Sequence, residues 1–359
     1  MPSDRYLELG IFGMNAVGGI AMTKVPERWQ IVWQDILKVS KFADKNDFDF
    51  LLPIGRWRGY GGETNPAGAA YETFSFAACL TGVTEKIKLF STVHVPYIHP
   101  VYAARSAATI DHASNGRFNL NIVCGWSLEE FQMFGLSDYN PDDRYIQGNE
   151  WTNIFEGLLS EQEYFNYDGK FYQVKEGVCL PKTIQQPRPL MLSAAFSPAG
   201  REFAITKCDI LFTMFSDLRI SRRQNLELLD KAKSRGKHNT QIYTSAHVVC
   251  RQTQREAEDY YDYYAETEAD VEAAEAFAGK MALVSPKIGA MQKSKLKRIA
   301  GGAGTVPIVG SPDYVAEQLI AVRDAKFSGI GMSFVDYGME VPYFAENVMP
   351  LLKKAGVHR

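Results

Sequence analysis

Residues 87–124 read IKLFSTVHVPYIHPVYAARSAATIDHASNGRFNLNIVC. The β-rich runs Ile87–Val95 and Phe118–Cys124 flank a helical pattern at Val101–Ala113. Parallel strands need a crossover connection, and a helix is the usual one, so these two strands are expected to lie side by side in parallel. The stretch therefore predicts an α/β fold with a parallel sheet.

The same alternation of strand and helix continues in both directions. Glu27–Asp44 and Thr73–Thr84 are further predicted helices, the first with its apolar residues at helical spacing. Eight strands are predicted in all, and eight strand–helix alternations favour a closed (β/α)8 TIM barrel. Their ranges are Tyr6–Met14, Phe48–Pro53, Ile87–Val95, Phe118–Cys124, Pro189–Ala195, Ile210–Phe215, Ile242–Val249 and Ile330–Val335.

An open, doubly wound sheet is the structural alternative. That fold predicts a Gly-x-Gly-x-x-Gly motif after the first strand, and the glycines at 13, 18 and 19 do not have this spacing. We therefore expect one barrel domain over residues 1–359, with insertions at about 126–182 and 254–310. Long loops in a barrel lie mostly at the C-terminal ends of the strands, where they cover the active site.

Composition excludes several classes of function. The chain has 359 residues, 46% of them apolar, and a net charge of 39 − 42 = −3 without a polybasic block, so no nucleic-acid partner is expected. Five scattered cysteines without C-x-x-C spacing indicate a reducing compartment. The sequence begins without an apolar signal segment and has no run of about 18 apolar residues, so a cytoplasmic protein with no membrane segment is expected.

Polar residues at the predicted strand ends are the candidates for chemistry, because barrel enzymes place their sites there. The third strand ends with Thr92 and His94, and the fourth carries Asn119 and Asn121. The set is completed by residues that follow the second, fourth and fifth strands: Gly55, Arg56, Trp57, Arg58, Trp126, Glu130 and Ser197.

Ser197-Pro198 is the most informative local motif. Serine before proline is typical of a helix N-terminus, whose free N–H groups and positive dipole end bind phosphate; an ordinary capped helix has the same sequence. Arg144 and Tyr145, inside the first insertion, could bind the same anion.

Asn121 is a polar residue on an otherwise apolar strand. Alternation places Asn119 and Asn121 on one side, which is the barrel interior if Leu120 and Ile122 face the helices. Asn121 is then a member of a hydrogen-bond network or a ligand contact, and Thr92 could meet it from the neighbouring strand. His94 and His99 are candidates for acid–base chemistry or structural residues.

The sequence shows no metal-ligand spacing, no Gly-x-Ser-x-Gly elbow and no Walker loop. Because no side-chain nucleophile is evident, redox chemistry supplied by a bound cofactor is the natural inference.

Together these stretches resemble the bacterial luciferase-like family of flavin-dependent monooxygenases. The resemblance covers residues 7 to about 352 and is carried by the sequences at 50–56, 103–111, 114–118, 121–126, 143–145, 169–172 and 186–189. The two-component subgroup that uses reduced FMN is most similar: pyrimidine monooxygenases share the run at 58–62, and alkanesulfonate and dimethyl sulfone monooxygenases share those at 53–56 and 301–305.

The resemblance implies a barrel that binds reduced FMN, supplied by an NAD(P)H-dependent flavin reductase, and uses O2 through a flavin peroxide. The substrate would be a small polar organic compound, either a nitrogen heterocycle such as a pyrimidine or an organosulfur compound. Thr92, Asn121 and Arg56 would be the catalytic residues, with the first two beside the bound oxygen. The residues expected to bind the cofactor are Gly55, Arg56, Asn121, Glu130, Arg144, Tyr145 and Ser197. Those expected near the substrate are Trp57, Arg58, His94, Trp126 and Tyr337.

Two departures from the family pattern concern the substrate. Arg56 replaces a lysine of the pyrimidine enzymes, and a planar guanidinium and a point charge hold different ligands. His94 replaces a small residue of the same enzymes. The family also suggests a cis peptide bond at Val93–His94.

Two other functions remain open for this fold: a deazaflavin-dependent hydride transferase and a non-catalytic flavin-binding protein. A homo-oligomer is expected, because barrels of this kind commonly pair.

Overall fold

The strands that the 87–124 stretch predicts pair in parallel in the computed structural model, which describes residues 6–136, 143–160, 163–284 and 293–359. The third strand, β3 (Lys88–His94), runs beside the fourth, β4 (Phe118–Val123), and a helix at Pro100–Ala113 connects them. Their register sets Phe90 opposite Asn119, Thr92 opposite Asn121 and His94 opposite Val123.

Eight parallel strands close into a barrel, which confirms the predicted fold class. The others are β1 (Glu8–Phe12), β2 (Phe50–Leu52), β7 (Met191–Ala194), β8 (Ile210–Phe212), β9 (Gln241–Cys250) and β11 (Gly329–Ser333). Around the barrel the order is β1-β2-β3-β4-β7-β8-β9-β11, and pairing of β11 with β1 closes it.

Thirteen α-helices lie in the described ranges, and most of them cover the outside of the barrel. They are α1 (Trp33–Lys45), α2 (Thr73–Thr81), α3 (Pro100–Ala113), α4 (Leu128–Met133), α5 (Arg144–Ser160), α6 (Pro198–Lys207), α7 (Leu218–Lys233), α8 (Gln254–Asp262), α9 (Val271–Val284), α10 (Lys293–Gly302), α11 (Pro312–Asp324), α12 (Tyr337–Asn347) and α13 (Met349–Lys354). None of them combines the length and the apolar character needed to cross a membrane.

Alternation along the strands divides the core into two parts. Leu120 and Ile122 point outward and belong to one core cluster with the small residues of α3, which is the condition under which Asn119 and Asn121 face the barrel interior. Phe50, Phe90 and Tyr243 point inward, and the rings of Phe50 and Tyr243 stack at 5.3 Å. This aromatic layer fills the barrel, so space for a ligand is left at the C-terminal end of the strands.

The two insertions are largely regular structure. The first holds α4, α5 and the antiparallel hairpin β5 (Phe165–Asp168) and β6 (Gln173–Gly177). The second holds α8, a π-helical turn (Tyr263–Thr267), α9, α10 and β10 (Val306–Gly310). The strand β10, which the sequence does not predict, pairs in parallel with the second half of β9.

Two sequence expectations are wrong in detail. The helix predicted at Glu27–Asp44 begins at Trp33, because the preceding segment bonds to loops at the top of the barrel: the Trp29 N–H donates to the Val335 carbonyl, and its indole N–H donates to the Met14 carbonyl. The Val93–His94 bond is trans; the cis bonds among the described residues are Leu180–Pro181 and Gln186–Pro187.

Candidate active site

A cavity of about 300 Å³ opens at the C-terminal ends of the barrel strands. Strand-end residues and both insertions form its wall, as expected for a barrel enzyme. Nine of the residues predicted for the site line it: Gly55, Arg56, Thr92, His94, Asn121, Trp126, Arg144, Tyr145 and Ser197.

Thr92 and Asn121 form a connected polar pair in this cavity. The Thr92 hydroxyl donates to the Pro53 carbonyl at 2.6 Å and accepts from the Asn121 side-chain amide at 3.1 Å. This network fixes both side chains. The Asn121 Oδ1 is buried and has no hydrogen-bond partner within the described ranges. A buried polar atom without a partner is rare in a folded protein and is expected to meet a ligand or an ordered water.

Arg56 is buried beside the same cavity. Its Nη2 lies 2.6 Å from Glu130 Oε1, and the two side chains are 5% and 0% exposed. The guanidinium carbon lies 4.6 Å from the centre of the Trp126 ring and 5.3 Å from that of Tyr60, which are cation–π distances. Arg56 Nε and Nη1 find no acceptor in the part of the chain that the structure describes.

Gly55 allows the loop after β2 to approach the end of β3. A Cβ at this position would lie 2.7 Å from His94 Cε1 and 2.9 Å from Thr92 Cγ2, so a side chain is sterically excluded. The glycine thus lets the backbone next to Arg56 pass directly against Thr92 and His94.

His94 is buried and neutral. The pKa of His94 is lowered to about 3, mainly because burial disfavours the charged ring and further because Arg56 is positively charged. The ring packs against Tyr97 at 5.3 Å. At neutral pH His94 can donate one hydrogen bond and accept one, but it holds no proton that it could readily release.

The opposite end of the cavity has the features of an anion site. Ser197 is the N-cap of α6 and accepts from the Gly200 N–H at 3.1 Å, and the Tyr145 hydroxyl lies 3.2 Å from the Ser197 hydroxyl. Arg144, the first residue of α5, also lines the wall. A Cβ on Gly200 would lie 2.5 Å from the Tyr145 hydroxyl, so glycine is required for this close approach.

Four predicted residues lie outside the cavity lining. Glu130 is fully buried behind Arg56 and accepts from the Trp57 and Arg58 N–H groups at 3.1 and 3.3 Å. Trp57 is exposed and packs edge-on against Phe134, and Arg58 is exposed. Tyr337 is fully buried, and its hydroxyl donates to the Phe12 carbonyl at 2.5 Å. The structure thus places Tyr337 behind the cavity wall and not in it.

The cavity lining also contains residues that the sequence does not predict for the site. Phe277 and Met281 of α9 face the cavity, and their spacing of four is that of one helix face. That spacing indicates that the two residues share one face of a helix, but it does not indicate that this face covers the cavity. Ser193, Met214 and Ser245 come from predicted strands or strand ends and were not singled out. The Ser193 hydroxyl donates to the Ile122 carbonyl at 2.9 Å.

The site therefore joins an end suited to an anion and a polar end with unsatisfied groups, between aromatic and apolar walls. Within the described ranges no group of three or more His, Cys, Asp or Glu residues is placed to hold a metal ion. These features are the ones expected of a barrel enzyme with a phosphate-bearing organic cofactor.

Comparison with known proteins identifies the family. The profile of the luciferase-like monooxygenases matches residues 7–329, so the chain belongs to the luciferase-like monooxygenase family. A similar relative is the FMNH(2)-dependent dimethylsulfone monooxygenase of Pseudomonas putida, 27% identical over 95% of this chain and 93% of that protein. Another is the pyrimidine monooxygenase RutA of Agrobacterium fabrum, 27% identical over 97% of this chain and 96% of the relative.

Solved structures support the same fold. Riboflavin lyase (RcaE), solved with modified FMN and riboflavin, superposes with a TM-score of 0.88 at 18% identity, over 99% of this chain and 93% of the other. DmoA from Hyphomicrobium sulfonivorans gives a TM-score of 0.84 at 20% identity, over 99% and 89%.

Proposed function

We propose that the protein is an FMNH2-dependent monooxygenase. It would take reduced FMN from a separate NAD(P)H-dependent flavin reductase and use O2 to oxygenate a small polar organic compound, either a nitrogen heterocycle such as a pyrimidine or an organosulfur compound. Family membership and the names of the two relatives support the reaction class. The observation that carries the proposal is the Thr92–Asn121 pair, whose unsatisfied amide oxygen lies in the same cavity as the Ser197 helix cap.

The residues present fit FMN. The cap at Ser197, with Tyr145 and Arg144, suits a phosphate because it joins a helix N-terminus, a phenol and a guanidinium. At the other end, Gly55 lacks the Cβ that would obstruct the wall, and Asn121 Oδ1 has no partner in the described ranges. Arg56 would form part of the wall at the ring end, and Glu130 would hold it in place from behind. The bound cofactor would supply the electrons that activate O2.

The chain's own residues would then hold oxygen and exclude water. Asn121 uses one amide hydrogen on Thr92 and keeps the other for a ligand, so it can stabilise negative charge that develops on oxygen. Trp126, Tyr60 and Phe277 provide apolar walls that keep bulk water from the reaction.

One core cluster that extends from Leu7 to Val357 supports a single domain.

The test is turnover under ¹⁸O2 with enzymatically reduced FMN and a panel of sulfones, sulfonates, uracils and chlorophenols. We expect one ¹⁸O atom in the product of at least one compound, detected by mass spectrometry. Anaerobic turnover with a deazaflavin cofactor would instead establish a hydride transferase. Tight binding of oxidised FMN without O2 consumption would establish a non-catalytic flavin-binding protein.

A further inference from the structure

We propose that the Arg56 end of the cavity recognises an uncharged oxygen acceptor on the substrate, such as a sulfone or carbonyl oxygen, in preference to an anionic head group. The inference rests on the proposed function and narrows its substrate class.

Arg56 is a hydrogen-bond donor with unused capacity. Its Nη2 is taken by Glu130, while Nε and Nη1 are buried and lack an acceptor among the described residues. Leaving a charged donor unsatisfied in a buried site is costly, so the site favours a ligand that brings an acceptor. Because Arg56 lines the cavity, that ligand can be the substrate.

The guanidinium is also held in position before a ligand binds. The rings of Trp126 and Tyr60 lie against it, and the ion pair with Glu130 anchors one of its nitrogens. A donor fixed in this way loses little conformational entropy when it binds an acceptor, which favours specificity.

The charges at this end are already balanced. Arg56 is paired with Glu130, and Lys280 of α9 is paired with Glu129 at 2.6 Å. His94 and Tyr60 also lie beside Arg56 on the cavity wall, and both are neutral at physiological pH, because burial lowers the pKa of His94 and raises that of Tyr60. Arg58 is exposed, so water screens its charge.

An anionic head group would therefore enter a buried region without a surplus positive charge to compensate it, and its desolvation would be unfavourable. An uncharged sulfone or carbonyl oxygen accepts the same hydrogen bond without that cost. The polar lining alone would accept both anionic and uncharged substrates. The balance of charge at the Arg56 end therefore decides in favour of the uncharged ones.

The experiment compares two probes of nearly equal shape, dimethyl sulfone and methanesulfonate, which differ by a methyl group in place of a charged oxygen. Both are titrated calorimetrically under argon into the full-length protein loaded with reduced FMN, so binding is measured without turnover. We expect dimethyl sulfone to bind at least about 10-fold more tightly. 6-Methyluracil and uracil 6-carboxylate, which carry a methyl group and a carboxylate at the same position, form a second pair with the same expected order.

Arg56→Lys is the diagnostic variant, because it keeps a cation beside Glu130 but removes the other guanidinium donors. It should weaken dimethyl sulfone binding by about 10-fold, measured on protein saturated with reduced FMN, and should weaken FMN binding, titrated separately, by less than that. Arg219→Lys, at an exposed arginine of α7 outside the cavity lining, is the control for the same change of side chain and should change neither affinity.

Three results would overturn the proposal: methanesulfonate binding as tightly as dimethyl sulfone, failure of both neutral probes to bind, or an Arg56→Lys variant that loses FMN affinity and not sulfone affinity. Absence of ¹⁸O incorporation with the neutral probes still bound would reject the monooxygenase function and leave this recognition intact.

Discussion

Arg56 and Glu130 form a buried ion pair with a 2.6 Å contact that ties the loop after β2 to α4 of the first insertion. Glu130 also accepts the backbone N–H groups of Trp57 and Arg58, so one carboxylate organises the whole turn that carries Arg56. The pair therefore sets the shape of one end of the cavity as well as its charge.

Replacing Glu130 with glutamine should destabilise the protein strongly. The amide can still accept one backbone N–H, but Arg56 becomes a buried charge without a counter-ion, which costs about 3–5 kcal/mol. Glu129→Gln is the control: its ion pair with Lys280 is 41% exposed on the glutamate side and is worth about 0–1 kcal/mol. Urea unfolding measures both. Equal losses in the two variants would show that the buried pair has no special role.

Asn121→Ala should uncouple O2 consumption from product formation. The substitution removes the amide that bonds Thr92 and faces the cavity, and loss of one such stabilising donor typically costs about 10²–10³-fold in rate. Asn119→Ala is the control on the same face of β4, since Asn119 bonds only backbone groups at 117 and 190 in the described structure. Product formed per O2 consumed is the measurement, and normal coupling in Asn121→Ala would contradict the oxygen-site assignment.

Periodicity predicts the barrel because each strand is a short apolar run and these runs alternate regularly with helical patterns along the chain. Alternation also predicts that Asn119 and Asn121 share one side of β4, and the packing of Leu120 and Ile122 on the helices makes that side the interior. Barrel geometry then brings Gly55, Thr92 and Ser197 into one cavity although they lie far apart in sequence.

Long-range contacts decide what the sequence pattern does not. Tyr337 follows the last strand, as an active-site aromatic would, but its hydroxyl bonds the Phe12 carbonyl and its ring packs beneath Gly19 and beside Trp29. Phe277 reaches the cavity only because α9 packs across the mouth. Residues 27–32 have a helical pattern, but tertiary hydrogen bonds such as that of the Trp29 indole N–H hold them in another conformation. The sequence does not predict β10, which is defined by its pairing with β9.

The low pKa of His94 predicts a specific pH dependence of stability. An unfolded histidine binds a proton below about pH 6.5, whereas folded His94 stays neutral down to about pH 3. The unfolded state therefore binds more protons in this window, so stability is full above about pH 6.5 and is lost as the pH falls toward 3. His94→Gln should flatten this loss by up to about 1.4 kcal/mol per pH unit in the free energy of unfolding.

The control for this experiment is His238→Gln, because His238 is exposed in the loop after α7. It should leave the stability profile between about pH 3.5 and 6.5, an interval of about three units within the window, unchanged. An unaltered slope in His94→Gln would mean that His94 is protonated in the folded protein.

Two helices begin with the same serine–proline cap, and comparing the two serines distinguishes phosphate binding from helix capping alone. Ser197-Pro198 begins α6 and Ser311-Pro312 begins α11, and each serine accepts a backbone N–H from its own first turn, at 3.1 and 3.4 Å. Serine to alanine should cost each helix about 1 kcal/mol of stability. Only Ser197 lines the cavity and contacts Tyr145, so only Ser197→Ala should also weaken FMN binding, by about 10-fold, measured by flavin fluorescence titration. Equal FMN affinities in the two variants would mean that the Ser197 hydroxyl only caps its helix, because a hydroxyl that binds phosphate cannot be removed without loss of affinity.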